Sequence, residues 1–198
     1  MNDFAIILGV SSGMGEAAAK ELISKGINIY GVDIKKSNEL LDSLISIGNK
    51  NNATVIFKKM SATNTEKRIE VIDELLSLNN VRVKILLHSL AFGALKPFIN
   101  SNNNETITKQ NIDMTLDVMA NSLIYWSQDL LHNKLIKKGS QIFAMTSSGG
   151  HKQWKSYGAV SMAKAALESA SRQLALELAP FNIASNSIQA GVTDTPAL

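Results

Sequence analysis

Six short apolar runs alternate with helix-length stretches along this chain, and that alternation limits the fold more than any other feature. Strands are expected at Phe4–Gly9, Ile27–Val32, Ala53–Phe57, Val83–Leu87, Gln141–Met145 and Ile183–Ile188. The first and fourth are apolar nearly throughout, which marks strands buried on both faces. Helices are expected at Glu16–Lys25, Asn38–Ile47, Thr65–Leu78, Met114–Lys137 and Tyr157–Leu178, with Gly26, Gly48 and Pro180 as stop signals. Repeated strand–helix–strand units cross over right-handedly, so they build a parallel sheet with helices on both faces. The expected fold is therefore α/β, doubly wound. Asn100–Asn104 is a polar loop too short for a linker, so residues 1–198 read as one domain.

Composition removes several classes of function. The 198 residues, 45% hydrophobic and 19% charged, have the balance of a chain that buries a core. There is no cysteine, and His88, His132 and His151 form no ligand-spaced pair, so no metal site is expected. The net charge of +3 is spread over pairs such as Lys35-Lys36, Lys58-Lys59 and Lys137-Lys138. Such pairs read as solvated faces, and no basic stripe with interleaved aromatics points to nucleic acid. No apolar run approaches the ~18–20 residues of a membrane span. Met1 leads into a strand within a few residues, so no leader is expected and the cytoplasm is the default compartment.

The chemistry begins at the first strand–helix junction, Gly9-Val-Ser11-Ser12-Gly13-Met14-Gly15. Glycines there allow a tight turn and let backbone approach a pyrophosphate, while the helix N-terminus offers amides and a partial positive charge. Because it falls between a strand and a helix, a dinucleotide-binding loop is expected here, with a plain turn as the alternative. Asp33 closes the second strand, where a carboxylate can accept from both adenosine ribose hydroxyls and repel a 2′-phosphate. NAD(H) is favoured over NADP(H) on that ground, with Lys35 and Lys36 arguing the other way.

The Gly-x3-Gly-x-Gly spacing resembles that of the short-chain dehydrogenase/reductase family, and the likeness extends over nearly the whole chain. Two segments narrow it. His88-Ser89-Leu90-Ala91-Phe92 stands where most members carry Asn-Asn-Ala-Gly, and it resembles the enoyl-acyl-carrier-protein reductases of fatty acid biosynthesis. Tyr157-Gly-Ala-Val-Ser-Met-Ala-Lys164 has the Tyr-x6-Lys spacing of that branch, and the usual family tyrosine position is Val160. Seven residues are almost two helical turns, which places both side chains on one face about 10 Å apart along the axis. The segments Ala165–Ala170 and Ala190–Thr195 also resemble the branch.

The resemblance implies an NAD(P)-dependent oxidoreductase that delivers hydride to the C=C bond of an enoyl thioester carried by acyl carrier protein or coenzyme A. It implies catalytic roles for Tyr157 and Lys164, with Ser147 as a third candidate that can equally be a loop residue satisfying backbone. Cofactor contacts are implied at Ser61 and Ala62, at His88 through Ala91, at Lys164, and at Gly191, Thr193 and Thr195. The backbone of His88 is expected near the nicotinamide ribose.

Some positions depart from the branch: Ser147 replaces a second tyrosine, and Ser61 replaces an acidic residue near the adenine. Members usually continue past the position of Leu198 with a substrate-covering segment, a helix and a seventh strand, so a C-terminally truncated domain is expected. The Tyr157 helix is apolar over much of its surface, which one sheet face does not cover, so a homodimer or homotetramer is expected. Trp126 and Trp154 are open to an interface or a pocket role. The competing functions are an ordinary ketone or alcohol reductase and a catalytically silent dinucleotide-binding protein.

Overall fold

The apolar runs lie side by side in one parallel, six-stranded sheet of order β3-β2-β1-β4-β5-β6. A computed structural model describes residues 2–35, 37–191 and 193. The strands are β1 (Asn2–Leu8), β2 (Asn28–Asp33), β3 (Val55–Lys59), β4 (Val81–His88), β5 (Gln141–Ser147) and β6 (Ala184–Ala190). Between them run α1 (Gly13–Ser24), α2 (Asn38–Lys50), α3 (Thr65–Ser77), α4 (Lys109–Leu116), α5 (Ser122–His132) and α6 (Gly158–Leu178).

β1 is central because both of its faces are needed. Phe4, Ile6 and Leu8 enter one core with Val71 and Leu75 of α3, Leu123 and Trp126 of α5, and Leu167 and Leu174 of α6. Ala5 and Ile7 point the other way, into a core with Ala19 and Ile23 of α1 and Leu44 of α2. A period of two over a run apolar at every position gives this two-sided burial. The doubly wound expectation is met, and the chain order reverses between β1 and β4. In such sheets ligands bind at that reversal, beyond the carboxyl ends of the strands.

The region expected to be one helix over 114–137 is different. Helix begins at Lys109, where Thr108 and Asn111 form a reciprocal capping box. A π turn (Asp117–Asn121) then joins α4 to α5, and the helix ends at His132. Leu135 and Ile136 are buried, yet they belong to a loop whose amides both bond to Leu130 O. Their spacing imitated a helical stripe. Lys134, with φ of 56°, breaks it. At the other boundaries, β4 starts two residues earlier than expected, β5 runs on to Ser147, and Tyr157 is the N-cap of α6 rather than its first helical residue. Among the described residues no helix is long and apolar enough to cross a membrane.

Candidate active site

The loop after β1 turns where only glycine fits. Gly9 adopts φ of 89°, and a Cβ there would overlap Ser89 O of the neighbouring loop. Gly15, in the first turn of α1, faces Gly9 O so closely that a Cβ would overlap it. Backbone therefore packs on backbone, and the start of α1 is drawn up against the strand ends. Ser12 is the N-cap and makes no side-chain cap bond, which leaves the first-turn amides without a side-chain partner. Asp33 fixes the adjoining edge: Ser11 N donates to Oδ2 at 3.1 Å and Lys35 N to Oδ1 at 3.0 Å. Ser11 Oγ donates to Lys35 O at 2.9 Å. Each carboxylate oxygen has two acceptor sites, so capacity remains for a further donor.

A groove runs along these strand ends in two compartments. The first, about 550 Å³, is lined by Gly9, Ser12, Gly13, Met14, Asp33, Ser61, Ala62, Ser89, Leu90 and Ala91 among others. The second, about 460 Å³, shares Met14, Ser89, Leu90 and Ala91 and adds Ser147, Tyr157, Lys164, Gly191 and Thr193. The glycine-rich bend and the Tyr157–Lys164 pair thus line adjoining compartments that share Met14, Ser89, Leu90 and Ala91.

Three candidates lie outside its walls. Gly15 lies beneath Gly9, Ser11 turns its hydroxyl to Lys35 O, and His88 is buried within the sheet. Thr195 is outside the described residues.

Lys164 is 6% exposed, and its Nζ donates to Met145 O at 2.7 Å and to Leu90 O at 3.3 Å. Burial lowers its pKa to about 8, against an opposing pull from Glu168. Tyr157 meets Trp154 edge to face at 5.2 Å. A Cβ at Gly149 would come within 2.5 Å of Tyr157 Cε1, so that glycine makes room for the ring. Ser147 Oγ accepts from Gly149 N at 3.1 Å, which leaves its own O–H for a ligand. Val160, at the usual family tyrosine position, packs on Met119 and lines the second compartment.

His88 has a different role from its neighbours. Ser122 Oγ donates to Val118 O at 2.8 Å, so His88 Nε2 donates to Ser122 Oγ, also at 2.8 Å. Nδ1 then carries a lone pair with no partner among the described residues. Burial, with the Lys164 charge, pushes the His88 pKa down from 6.5 to about 3. On acidification the unfolded chain takes up this proton first. The His88 contribution to stability is complete above pH 6.5 and is lost as the pH falls from there towards 3. At pH 5 the loss is about 2 kcal/mol. Melting temperatures measured from pH 7.5 to 5 are expected to fall less in His88→Asn than in the parent; equal slopes would remove His88 as the cause.

Several lining residues carry no sequence signal of the usual kind. The π turn brings Asp117 and Val118 to the first compartment and Met119 to the second. The loop after β4 contributes Phe92, Gly93 and Leu95. A Cβ at Gly93 would come within 2.7 Å of Val160 and 2.8 Å of Thr115, so the loop lies tight on the α4–α6 seam. The signal that could have flagged it is its exposed apolar content: Phe92, Leu95, Phe98 and Ile99.

The sequence matches the enoyl-(acyl carrier protein) reductase family over residues 9–198. It is 28% identical over 193 residues to the 3-oxoacyl-[acyl-carrier-protein] reductase FabG of Buchnera aphidicola, covering 96% of this chain and 74% of that protein. It is 26% identical over 200 residues to the enoyl-[acyl-carrier-protein] reductase [NADH] FabI of Enterococcus faecalis, covering 100% of this chain and 76% of that protein. Among solved structures, a short chain dehydrogenase from Burkholderia cenocepacia in complex with NADP superposes with a TM-score of 0.83 at 22% identity, over 100% of this chain and 77% of that one. With the Rossmann-type sheet and the family match in agreement, the chain belongs to the short-chain dehydrogenase/reductase oxidoreductases, within the family described as enoyl-(acyl carrier protein) reductase.

Proposed function

We propose that this protein reduces the C=C bond of an enoyl thioester, carried by acyl carrier protein or coenzyme A, at the expense of a nicotinamide dinucleotide. The observation that supports it most is the pairing of Tyr157 and Lys164 in one compartment with Met14 of the glycine loop, while Val160 offers no hydroxyl at the ordinary position.

The donor set fits a dinucleotide. At Gly9 and Gly15 backbone packs on backbone with no room for a Cβ, which brings the first turn of α1 up to the groove; its amides would hold a pyrophosphate, and Asp33 would take the ribose. When bound, the reduced nicotinamide supplies a hydride for the β-carbon. Negative charge then gathers on the thioester oxygen of the substrate, where Tyr157 O–H would donate a hydrogen bond, until a proton taken from water completes the α-carbon and gives the saturated thioester. Lys164 is an ammonium with three N–H groups, of which two go to Met145 O and Leu90 O. The third is available for a ribose hydroxyl, and the positive charge favours the anionic substrate state. Ser147, which lines the same compartment and keeps its O–H free, would orient the thioester carbonyl. The exposed apolar side chains of Phe92, Leu95 and Trp154 at the rim suit an acyl chain.

Asp33 supports NAD(H) over NADP(H), because a 2′-phosphate brought against it would meet like charge. Asp33→Asn keeps an acceptor for the loop amides and removes that charge. The ratio of kcat/KM with NADPH to that with NADH is expected to rise about tenfold or more. An unchanged ratio would exclude Asp33 from the choice. Copies of the chain are proposed to pair through the α5–α6 face, where Met162 and Leu176 are exposed.

The second reading is reduction of a 3-oxoacyl thioester, favoured by the Ser147 hydroxyl at the groove and by the FabG relative. Turnover of crotonyl against acetoacetyl thioester, each with NADH and NADPH, separates the two. Crotonyl reduction is the expected activity; acetoacetyl reduction alone would replace it with the second reading.

A further inference from the structure

Behind Lys164, on the side away from the groove, a carboxylate is buried that the proposed reaction does not use. Glu168 follows Lys164 by one turn of α6 and is 8% exposed. Its Oε1 accepts from Thr146 Oγ1 at 2.6 Å, and its Oε2 lies 2.8 Å from His151 Nε2. Gly150 packs so near that a Cβ would come within 3.2 Å of Oε1. A buried carboxylate carries a large desolvation cost unless several groups hold it. Here α6, the end of β5 and the turn after it all converge on one side chain.

Glu168 makes no direct ion pair with Lys164, whose Nζ is directed at two carbonyls instead. The two carbonyls occupy two of the three N–H groups of Lys164 and bring no negative charge to it. Facing this pair are His88 from β4, held neutral by burial; His151 from the turn after β5; and Tyr157 from the start of α6. On α6 itself Arg172 is exposed and makes no ion pair among the described residues. Among the described residues, Glu168 is the acidic side chain one helical turn from this buried cation.

We propose, resting on the reading of Lys164 as the cation of the groove, that Glu168 is its positioning residue. Locked by Thr146 and His151, the Glu168 carboxylate holds Lys164 in the ammonium form and fixes the strand end that carries Ser147. His151, the exposed end of the chain Thr146–Glu168–His151, couples that setting to charge at the surface. The opposing effects on Lys164 agree: burial favours the neutral amine, and Glu168 is the group that resists it. Such a pull acts through space, so it survives without a direct contact.

The test reads Lys164 itself in the cofactor-free protein, by titration of lysine side chains labelled with carbon-13 at Cε. The resonance of Lys164 is identified by its absence in Lys164→Met. The parent midpoint is expected near pH 8. In Glu168→Gln, which keeps the shape and an acceptor for Thr146, it is expected about one pH unit lower, a tenfold weaker hold on the proton. A structural role alone would lower the melting temperature and leave the midpoint in place. If Glu168→Gln does not fold, His151→Lys serves: it alters an exposed site and sets a permanent cation against Oε2. It is expected to lower the midpoint by about 0.3. A midpoint within about 0.1 of the parent in the folded variant overturns the proposal. NADH affinity gives a second readout, equal to the parent at pH 6 and several-fold weaker at pH 8.5 in Glu168→Gln. A protein that shifts its Lys164 midpoint yet reduces no enoyl thioester keeps this assignment and loses the proposed reaction.

Discussion

Tyr157→Phe is expected to lower kcat for the enoyl substrate by about a hundredfold or more, with dinucleotide affinity within about twofold of the parent. The split follows from where the hydroxyl sits. The ring packs against Trp154 and fills the space that Gly149 leaves open, and phenylalanine keeps both contacts. Only the O–H is lost. A single donor aimed at a developing oxyanion contributes about 3–4 kcal/mol in a water-poor site, and its loss falls on kcat more than on binding. The first compartment, with Asp33 and the α1 amides, is untouched, so NADH titration followed by fluorescence should match the parent. Full turnover in the variant would remove Tyr157 from the chemistry and shift attention to Ser147.

Gly15→Ala is the stability counterpart. The added methyl would overlap Gly9 O, and Gly9 is itself immobile: its N–H donates to Val32 O at 2.8 Å, and Ser89 O closes on its other side. No flexible side chain can yield. Relief requires α1 to retreat from the strand ends, at a cost of roughly 3 kcal/mol or roughly 10 °C in melting temperature. Dinucleotide binding is expected to weaken more than about a hundredfold, since the displaced amides no longer meet the pyrophosphate. Gly191→Ala is the control for stability, because a Cβ there meets nothing within 4 Å. Equal melting curves for the two variants would show that the first turn of α1 is not pinned as described.

The strands were legible because a strand buried on both faces has to be apolar at nearly every position, as Phe4 to Leu8 are. The glycine bend was legible for a related reason: positive φ and backbone-on-backbone contact leave few residue choices at Gly9 and Gly15. The π turn was not. It inserts one residue into a helix whose side chains look helical throughout, and its anchor, the His88–Ser122–Val118 chain, joins residues far apart in sequence. The same holds for Glu168, whose partners Thr146 and His151 lie far from it in sequence and are brought to it only by the fold. Leu135 and Ile136 misled in the opposite direction, because a loop that dives into the core copies a helical stripe.

The knot where Gly9, Gly15 and Ser89 touch has a kinetic meaning. Two segments distant in the chain, the bend from Gly9 to Gly15 and the loop at Ser89, are seated there on one another with backbone against backbone, so the floor of the groove behaves as a fixed anvil. Admission and departure of ligands then fall to the outer parapet, the stretch from Phe92 to Ile99 and the turn bearing Trp154. There the side chains are exposed, and few bonds tie the backbone to the rest of the molecule. Exchange rates should accordingly respond to substitutions on that rim and stay indifferent to solvent-facing changes along α1.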